Sequence, residues 1–266
     1  MRTSRTAVVT LLLAIAARAA DLKPETVSAW EEYVKGKNVA AKSFVNAPIV
    51  VADSDSWAAL RSGKVLVAPA GANIPRRVPS GLVHDWIGTA FIPNATIPQV
   101  LAAVRDYDRY KNVCRPGVVD SRTCLTAEDE DQFSLVLINK ALLVKKALEG
   151  DYRATYFRLD DHRWYSIAES TRLQEIEGFG GADTHLLPDG EGTGLIWRAH
   201  SISRYEERDG GVVIQFEALV LSRDVPAALR WMIDPTIRRV SRESIQLSLQ
   251  QTRDAVQSNL AVASAH

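Results

Sequence analysis

Hydrophobic residues recur at helical spacing along the C-terminal stretch from Pro235 to Leu260. At about 100° per residue, this spacing predicts one long amphipathic helix. Its apolar side carries Ile237, Val240, Ile245, Leu247, Leu249, Val256 and Leu260. Small polar residues follow the middle of that side, namely Ser241, Ser244, Ser248 and Thr252. A helix that only fills a core more often has its largest residues there, so this inner face is unusual.

Upstream of this helix, the pattern changes to extended runs of β-branched and aromatic residues. A strand over 82–92 precedes a helix that Thr96 and Gln99 begin as a capping box, and a short helical turn follows at 108–113. Further strands are predicted at 117–125, 133–144, 152–159, 163–176, 195–206 and 212–222. Such a meander forms an antiparallel sheet, and the last helix is large enough to cover its concave face. We therefore expect an α+β helix-grip fold, in which a curved antiparallel sheet wraps around a long C-terminal helix.

The dipeptide Asp209-Gly210 predicts a two-residue hairpin turn, which pairs Arg208 with Gly211. This register places small residues at the centre of the apolar sheet face and aromatic residues at its ends. Small side chains on both facing surfaces favour a cavity, although they also allow a helix to pack closely on a sheet. The predicted ligand-binding residues are Trp86, Trp197, Ser201, Ser203, Tyr205, Phe216, Ser241, Ser244, Ser248 and Thr252.

The first 20 residues have the layout of a secretory signal peptide. Arg2 and Arg5 precede an apolar run over 7–17, and 17–19 offers an A-x-A site, so cleavage is expected before Ala20 or Asp21. The run is shorter than the ~20 residues that span a bilayer. We therefore expect a periplasmic or extracellular protein without a stable membrane span after signal removal.

The net charge of the chain adds little to these predictions. Of 32 basic and 32 acidic residues, the signal peptide takes three arginines, which leaves a slightly acidic chain. Such a chain has no electrostatic reason to bind nucleic acid. Residues 21–78 are expected to form a small helical appendage and linker, 79–260 the main domain and 261–266 a tail. The acidic stretch 128–131 predicts a solvated turn. No pattern specifies an oligomeric state.

Several local strings resemble the START and polyketide-cyclase superfamily, often called SRPBCC. They are 81–91 (GLVHDWIGTAF), 106–111 (DYDRYK), 204–211 (RYEERDGG), 221–226 (LSRDVP) and 242–244 (RES), and Trp197 adds to them. Within the superfamily they are similar to a group of exported bacterial proteins. The resemblance covers about 79–257 and implies a helix-grip fold with a central cavity. It implies no particular reaction, because members include carriers, cyclases and dehydratases.

Three functions remain open at this point. The leading hypothesis is a binding protein for a hydrophobic small molecule such as a lipid, an isoprenoid or an aromatic polyketide-like compound. The second is a cyclase or dehydratase that uses His84, with Tyr205, as acid and base. The third is an envelope interaction protein that meets a partner through residues 21–78.

Metal and cofactor chemistry find no support in the sequence. The five histidines lack a metal-ligand spacing, and there is no P-loop, so neither a metal nor a cofactor is expected. Cys114 and Cys124 can oxidise in an exported chain, but an extended segment between them would hold them too far apart. Their pairing stays open, because a turn at Pro116-Gly117 would bring them together.

Overall fold

Ten antiparallel strands of the computed structural model, which describes residues 20–139 and 146–264, join in one sheet. Along the main path the order is β1-β3-β10-β9-β7-β6-β5-β4, while β2 pairs with β3 and β8 pairs with β7. The strands are β1 Leu66–Pro69, β2 Arg76–Val78, β3 Gly81–Pro93, β4 Val118–Thr126, β5 Glu130–Asn139, β6 Lys146–Arg158, β7 Arg163–Glu177, β8 His185–Leu186, β9 Arg198–Arg208 and β10 Gly211–Arg223.

Five α-helices of the described residues surround this sheet. They are α1 Pro24–Phe44, α2 Ser54–Arg61, α3 Ile97–Val104, α4 Tyr110–Val113 and α5 Arg230–Ser264, with 3₁₀ turns at Tyr107–Arg109 and Ala227–Leu229. Thr96 and Gln99 form the predicted capping box of α3, in which the Thr96 amide donates to Gln99 Oε1 at 2.9 Å. The long last helix lies on the concave face of the sheet, so the predicted helix-grip fold is confirmed.

The predicted hairpin between β9 and β10 is also confirmed. Arg208 pairs with Gly211, and the two turn residues Asp209 and Gly210 have φ angles of 53° and 78°. Positive φ at both positions belongs to the turn type that matches strand twist, and glycine adopts it without strain. The register that follows from this turn extends along all of β9.

Two features of α5 differ from the prediction. The helix begins at Arg230, so Pro235 lies inside it instead of at its start. Its buried residues include Ile245, Leu249 and Val256, whereas Ser244 and Ser248 are exposed. At 100° per residue, the inner face is turned by roughly 70° from the predicted one. Bulky residues can face the sheet there because β3 has a glycine at the contact, Gly88.

The appendage packs on the convex face of the sheet, opposite α5. Trp30 of α1 is buried against Val83 and Leu221, and Leu60 of α2 is buried near Phe91. The segment 21–78, expected to be a helical appendage and linker, also supplies β1 and β2 to the main sheet.

Polar residues on the convex face hold the appendage in place. The amide of Ile49 donates to Glu206 at 2.5 Å, the guanidinium of Arg204 donates to the carbonyl of Ala47, and Lys37 contacts Glu217. Ionic side chains that the alternation of β9 and β10 places away from α5 therefore face the appendage.

The acidic stretch 128–131 is not simply a solvated turn. Asp131 is fully buried and forms a bidentate ion pair with Arg105, because β5 begins earlier than predicted and carries Asp131 into the sheet.

Both cysteines are free. The predicted signal peptide lies outside the described residues except for Ala20, as does the end of the strand predicted at 133–144. Among the described helices, none is long and apolar enough to cross a membrane.

Candidate functional site

A row of small residues crosses four adjacent strands on the concave face. Ala154 of β6 is opposite Ala168 of β7, Ala168 is opposite Ser201 of β9, and Ser201 is opposite Ala218 of β10. Directly opposed residues point to the same side of a sheet, so all four face α5. A strip without bulky side chains therefore runs across the middle of the sheet.

Larger side chains lie on both sides of this strip and, with α5, border a partly open cavity of about 280 Å³. Besides the four small residues, its lining comprises Val104, Tyr107, Tyr110, Phe133, Leu135, Tyr152, Tyr156, Ser166, Ala199, His200, Ser203, Tyr205, Ile214, Phe216, Leu219, Val220, Ser248, Leu249 and Thr252. The imidazole of His200 contacts Asn38 of α1 at 2.9 Å and so points to the convex side. The other lining residues include no ionisable acid or base except tyrosine.

Six of the ten predicted ligand-binding residues line this cavity: Ser201, Ser203, Tyr205, Phe216, Ser248 and Thr252. Trp86 is buried in the same core without lining the cavity. Trp197 precedes the first residue of β9, so strand alternation does not apply to it, and it packs on the convex side with Trp30. Ser241 and Ser244 lie outside the lining, and Ser244 is exposed.

An aromatic wall, which the sequence reasoning missed, closes one end of the cavity. The ring of Phe133 is stacked between Tyr107 and Tyr152, with centroid distances of 3.9 Å and 5.2 Å. Tyr156 follows Tyr152 on the same face of β6. The alternation of Tyr152, Ala154 and Tyr156 is visible in the sequence, but their contact with Tyr107 depends on a helix that is distant along the chain.

A chain of polar contacts connects this wall to Arg105. The hydroxyl oxygens of Tyr107 and Tyr156 are 2.7 Å apart, and the Tyr107 hydroxyl also lies 3.2 Å from Asp131 Oδ2. Arg105 donates to both oxygens of Asp131, at 2.8 Å and 2.7 Å. Burial is the main cause that raises the pKa of both tyrosines well above 10. Both phenols are therefore neutral near pH 7.

The remaining hydroxyl contacts are weaker or local. Tyr205 lies 3.4 Å from Ser166 Oγ, and burial again raises its pKa. Thr252 donates to the carbonyl of Ser248 within α5, at 3.0 Å. The site thus combines neutral hydroxyl groups with apolar and aromatic surface.

His84 lies on the same face of β3 as Trp86 but does not meet Tyr205. It lies opposite Val220, whereas Tyr205 lies opposite Ile214, so the two are ~20 Å apart along the strands. Its Nε2 is 2.8 Å from Ser222 Oγ, and burial lowers its pKa to about 4. The predicted acid and base are therefore not assembled into one site.

These features describe a helix-grip protein with a partly open cavity whose lining carries no charged side chain facing it. No family model and no curated protein matches the sequence. Among solved structures, the chain is similar to the STAR-related lipid transfer protein from Xanthomonas axonopodis, with a TM-score of 0.49, 15% identity and coverage of 72% of this chain and 98% of that one.

Two further similar structures are a human protein and a bacterial one. Human STARD10 has a TM-score of 0.47, 9% identity and coverage of 83% of this chain and 86% of that one. The Zhui aromatase/cyclase from Streptomyces sp. R1128 has a TM-score of 0.43, 8% identity and coverage of 67% and 96%.

Proposed function

We propose that this protein binds an uncharged, mainly apolar small molecule in the cavity between α5 and the concave face of the sheet. The observation that supports this most directly is the row formed by Ala154, Ala168, Ser201 and Ala218. Protein interiors are normally close-packed, so small residues aligned on four strands under a helix create space instead of filling it. The aromatic rings and hydroxyl groups around that space suit a ligand with a few polar atoms.

The size of the cavity narrows the class of ligand. Its volume of about 280 Å³ is at the lower end of the ~300–1,000 Å³ range typical of ligand sites. A compact aromatic compound, a short isoprenoid or one short acyl chain fits this volume, whereas a two-chain phospholipid does not. A charged group placed inside the cavity would also lose its hydration without gaining an ionic partner in the lining.

The same protein is proposed to act outside the cytoplasm. This part rests on the signal-peptide features of residues 1–20. The amide of Ala20 donates to the carbonyl of Gly192 at 2.7 Å, and that of Leu22 donates to Gly190 at 2.8 Å. Removal of the residues before Ala20 would therefore leave these contacts in place. Cell fractionation of the native host, with intact-mass measurement of the recovered chain, tests this part, and a cytoplasmic chain that still begins at Met1 would refute it.

Ligand binding is tested by native mass spectrometry of the protein purified from its own host, and by titration with the neutral fluorescent probe N-phenyl-1-naphthylamine. We expect a co-purifying apolar compound and saturable probe binding. Ala168→Leu and Ser201→Leu fill the floor of the cavity and should reduce probe affinity at least tenfold. Ala102→Leu, on the exposed side of α3, is the matched control and should bind as wild type does. Equal probe affinity in the filled and control variants would overturn the proposal.

The other two functions have less support. The catalytic hypothesis lacks its proposed acid–base pair, because His84 and Tyr205 lie far apart. For the interaction hypothesis, Val39 and Val50 are exposed on the appendage, but Trp30, Ile49 and Leu60 are buried against the sheet. The described side chains of the appendage therefore form no wide apolar patch.

A further inference from the structure

The contacts that begin at Arg105 determine to which acceptor the hydroxyl groups of Tyr107 and Tyr156 donate. Arg105 donates to Asp131 through Nε and Nη2, and it also donates to the carbonyls of Ala127 and Glu128 at 2.6 Å and 3.1 Å. These contacts hold the guanidinium in place. Both oxygens of Asp131 accept from the guanidinium, so the carboxylate acts as a hydrogen-bond acceptor here.

The number of available protons then settles the next two contacts. Tyr107 has one hydroxyl proton and two close oxygen neighbours, Asp131 Oδ2 at 3.2 Å and the Tyr156 hydroxyl at 2.7 Å. Since Asp131 cannot donate, Tyr107 donates to Asp131. The short contact with Tyr156 therefore needs the proton of Tyr156, which donates to Tyr107. Because its only hydroxyl proton is used, Tyr156 can only accept a further hydrogen bond.

The other cavity hydroxyls are not constrained in this way. Tyr205 has Ser166 as its hydroxyl neighbour, at 3.4 Å, and serine both donates and accepts. Tyr110 donates to the backbone carbonyl of Val104 at 2.5 Å, away from Asp131. The ion pair thus fixes the direction of the Tyr107 hydroxyl and, through it, that of the Tyr156 hydroxyl.

We propose that Tyr156 is a specificity-determining residue that acts as an obligate hydrogen-bond acceptor. The cavity would select ligands that carry a hydroxyl or N–H group over the same skeleton with that group capped or missing. The implied class is a compact phenol or alcohol. This inference rests on the proposed function, because it assigns a hydrogen-bond acceptor to the same cavity. One hydrogen bond of average net strength, about 1 kcal/mol, corresponds to about a fivefold preference.

A pair of probes of nearly equal shape tests the inference. The full-length protein is titrated with 2-naphthol and with 2-methoxynaphthalene, whose oxygen accepts but does not donate. Wild type should bind 2-naphthol about fivefold more tightly, and Tyr156→Phe should bind both equally. Tyr165→Phe, on the convex face of β7 with its ring stacked on Phe157, is the matched control and should keep the wild-type preference.

A second variant gives a result that simple damage to the cavity would not give. Tyr107→Phe removes the acceptor of the Tyr156 proton, so that Tyr156 can then donate to a ligand. The affinity for 2-methoxynaphthalene should therefore rise relative to that for 2-naphthol. If circular dichroism shows that Tyr156→Phe does not fold, Tyr107→Phe still tests the proposal.

The possible failures are distinguishable. If neither naphthalene probe binds wild type, the proposed function itself fails, and this inference fails with it. If both bind with equal affinity, or if the preference for 2-naphthol persists in Tyr156→Phe, the acceptor role of Tyr156 is wrong while ligand binding stands.

Discussion

Ile245 of α5 packs directly over Gly88 of β3. A Cβ added to Gly88 would lie 2.5 Å from Ile245 Cγ2 and 2.6 Å from Leu249 Cδ1, well inside van der Waals contact. This close contact positions α5 over β3, at one side of the sheet. The strip of small residues on β6, β7 and β9 is then left uncovered by bulky helix residues, and the cavity lies there.

The first prediction follows from this contact. Gly88→Ala should lower the free energy of unfolding by about 1–3 kcal/mol, because the added methyl group overpacks the seam between α5 and β3. Urea unfolding monitored by circular dichroism measures the change. Gly36→Ala, in the middle of α1 with no atom near the new methyl group, should instead raise stability by up to about 1 kcal/mol. A Gly88→Ala protein as stable as wild type would refute the close packing.

Local signals in the sequence were sufficient for the long strands of the meander, and less so for the helix. The turn at Asp209 and Gly210 specifies the pairing of β9 with β10, and alternation then places Ser201, Ser203 and Ala218 on one face. The orientation of α5 depends instead on Gly88, a residue on a distant strand. A periodic pattern does not contain that information, so Ser244 was predicted to face inward and is exposed.

The aromatic wall could not be predicted for a similar reason. Tyr107 precedes α4, Phe133 is on β5 and Tyr152 is on β6, so their stacking exists only after the strands pair. Asp131 looked like part of an acidic turn because its partner, Arg105, belongs to another element. In both cases the missing information is a contact between residues of different elements.

The ion pair between Arg105 and Asp131 gives a second prediction. Arg105→Met leaves the fully buried Asp131 without a cation, and loss of one partner of a buried pair typically costs about 3–5 kcal/mol. The variant should show a decrease near the lower end of that range, since Arg105 is partly exposed. Arg109→Met, which removes a solvent-exposed pair with Asp106, should change stability by less than about 1 kcal/mol. Equal effects of the two substitutions in urea unfolding would contradict the structural role of Asp131.

The third prediction concerns pH. Burial lowers the pKa of His84 from 6.5 to about 4, so the unfolded chain binds a proton on this residue over a range in which the folded chain does not. Its contribution to stability is complete above pH 6.5 and is lost as the pH falls toward 4. Each pH unit in this window corresponds to about 1.4 kcal/mol.

Urea unfolding at pH 7 and pH 5 checks this expectation. Wild type should lose about 2 kcal/mol more than His84→Gln on this change, because glutamine does not titrate and can still contact Ser222. His185→Gln, at an exposed site, should follow wild type. If wild type and His84→Gln lose the same free energy, His84 is not protonated on unfolding in this range.

The last prediction concerns the attachment of α1 to the convex face. Lys37 lies between two carboxylates, 2.5 Å from Asp85 and 2.6 Å from Glu217, and Tyr33 donates to Asp85 at 2.7 Å. Asp85 is fully buried, so Lys37→Met would leave two acidic groups close together without a cation. We expect amide hydrogen exchange in α1 to speed up by at least tenfold while the protection of β9 and β10 is kept, because the strands pair without α1. Lys35→Met, on an exposed position of the same helix, should leave exchange in α1 unchanged. Faster exchange throughout the sheet in Lys37→Met would mean instead that the appendage and the sheet unfold as one unit.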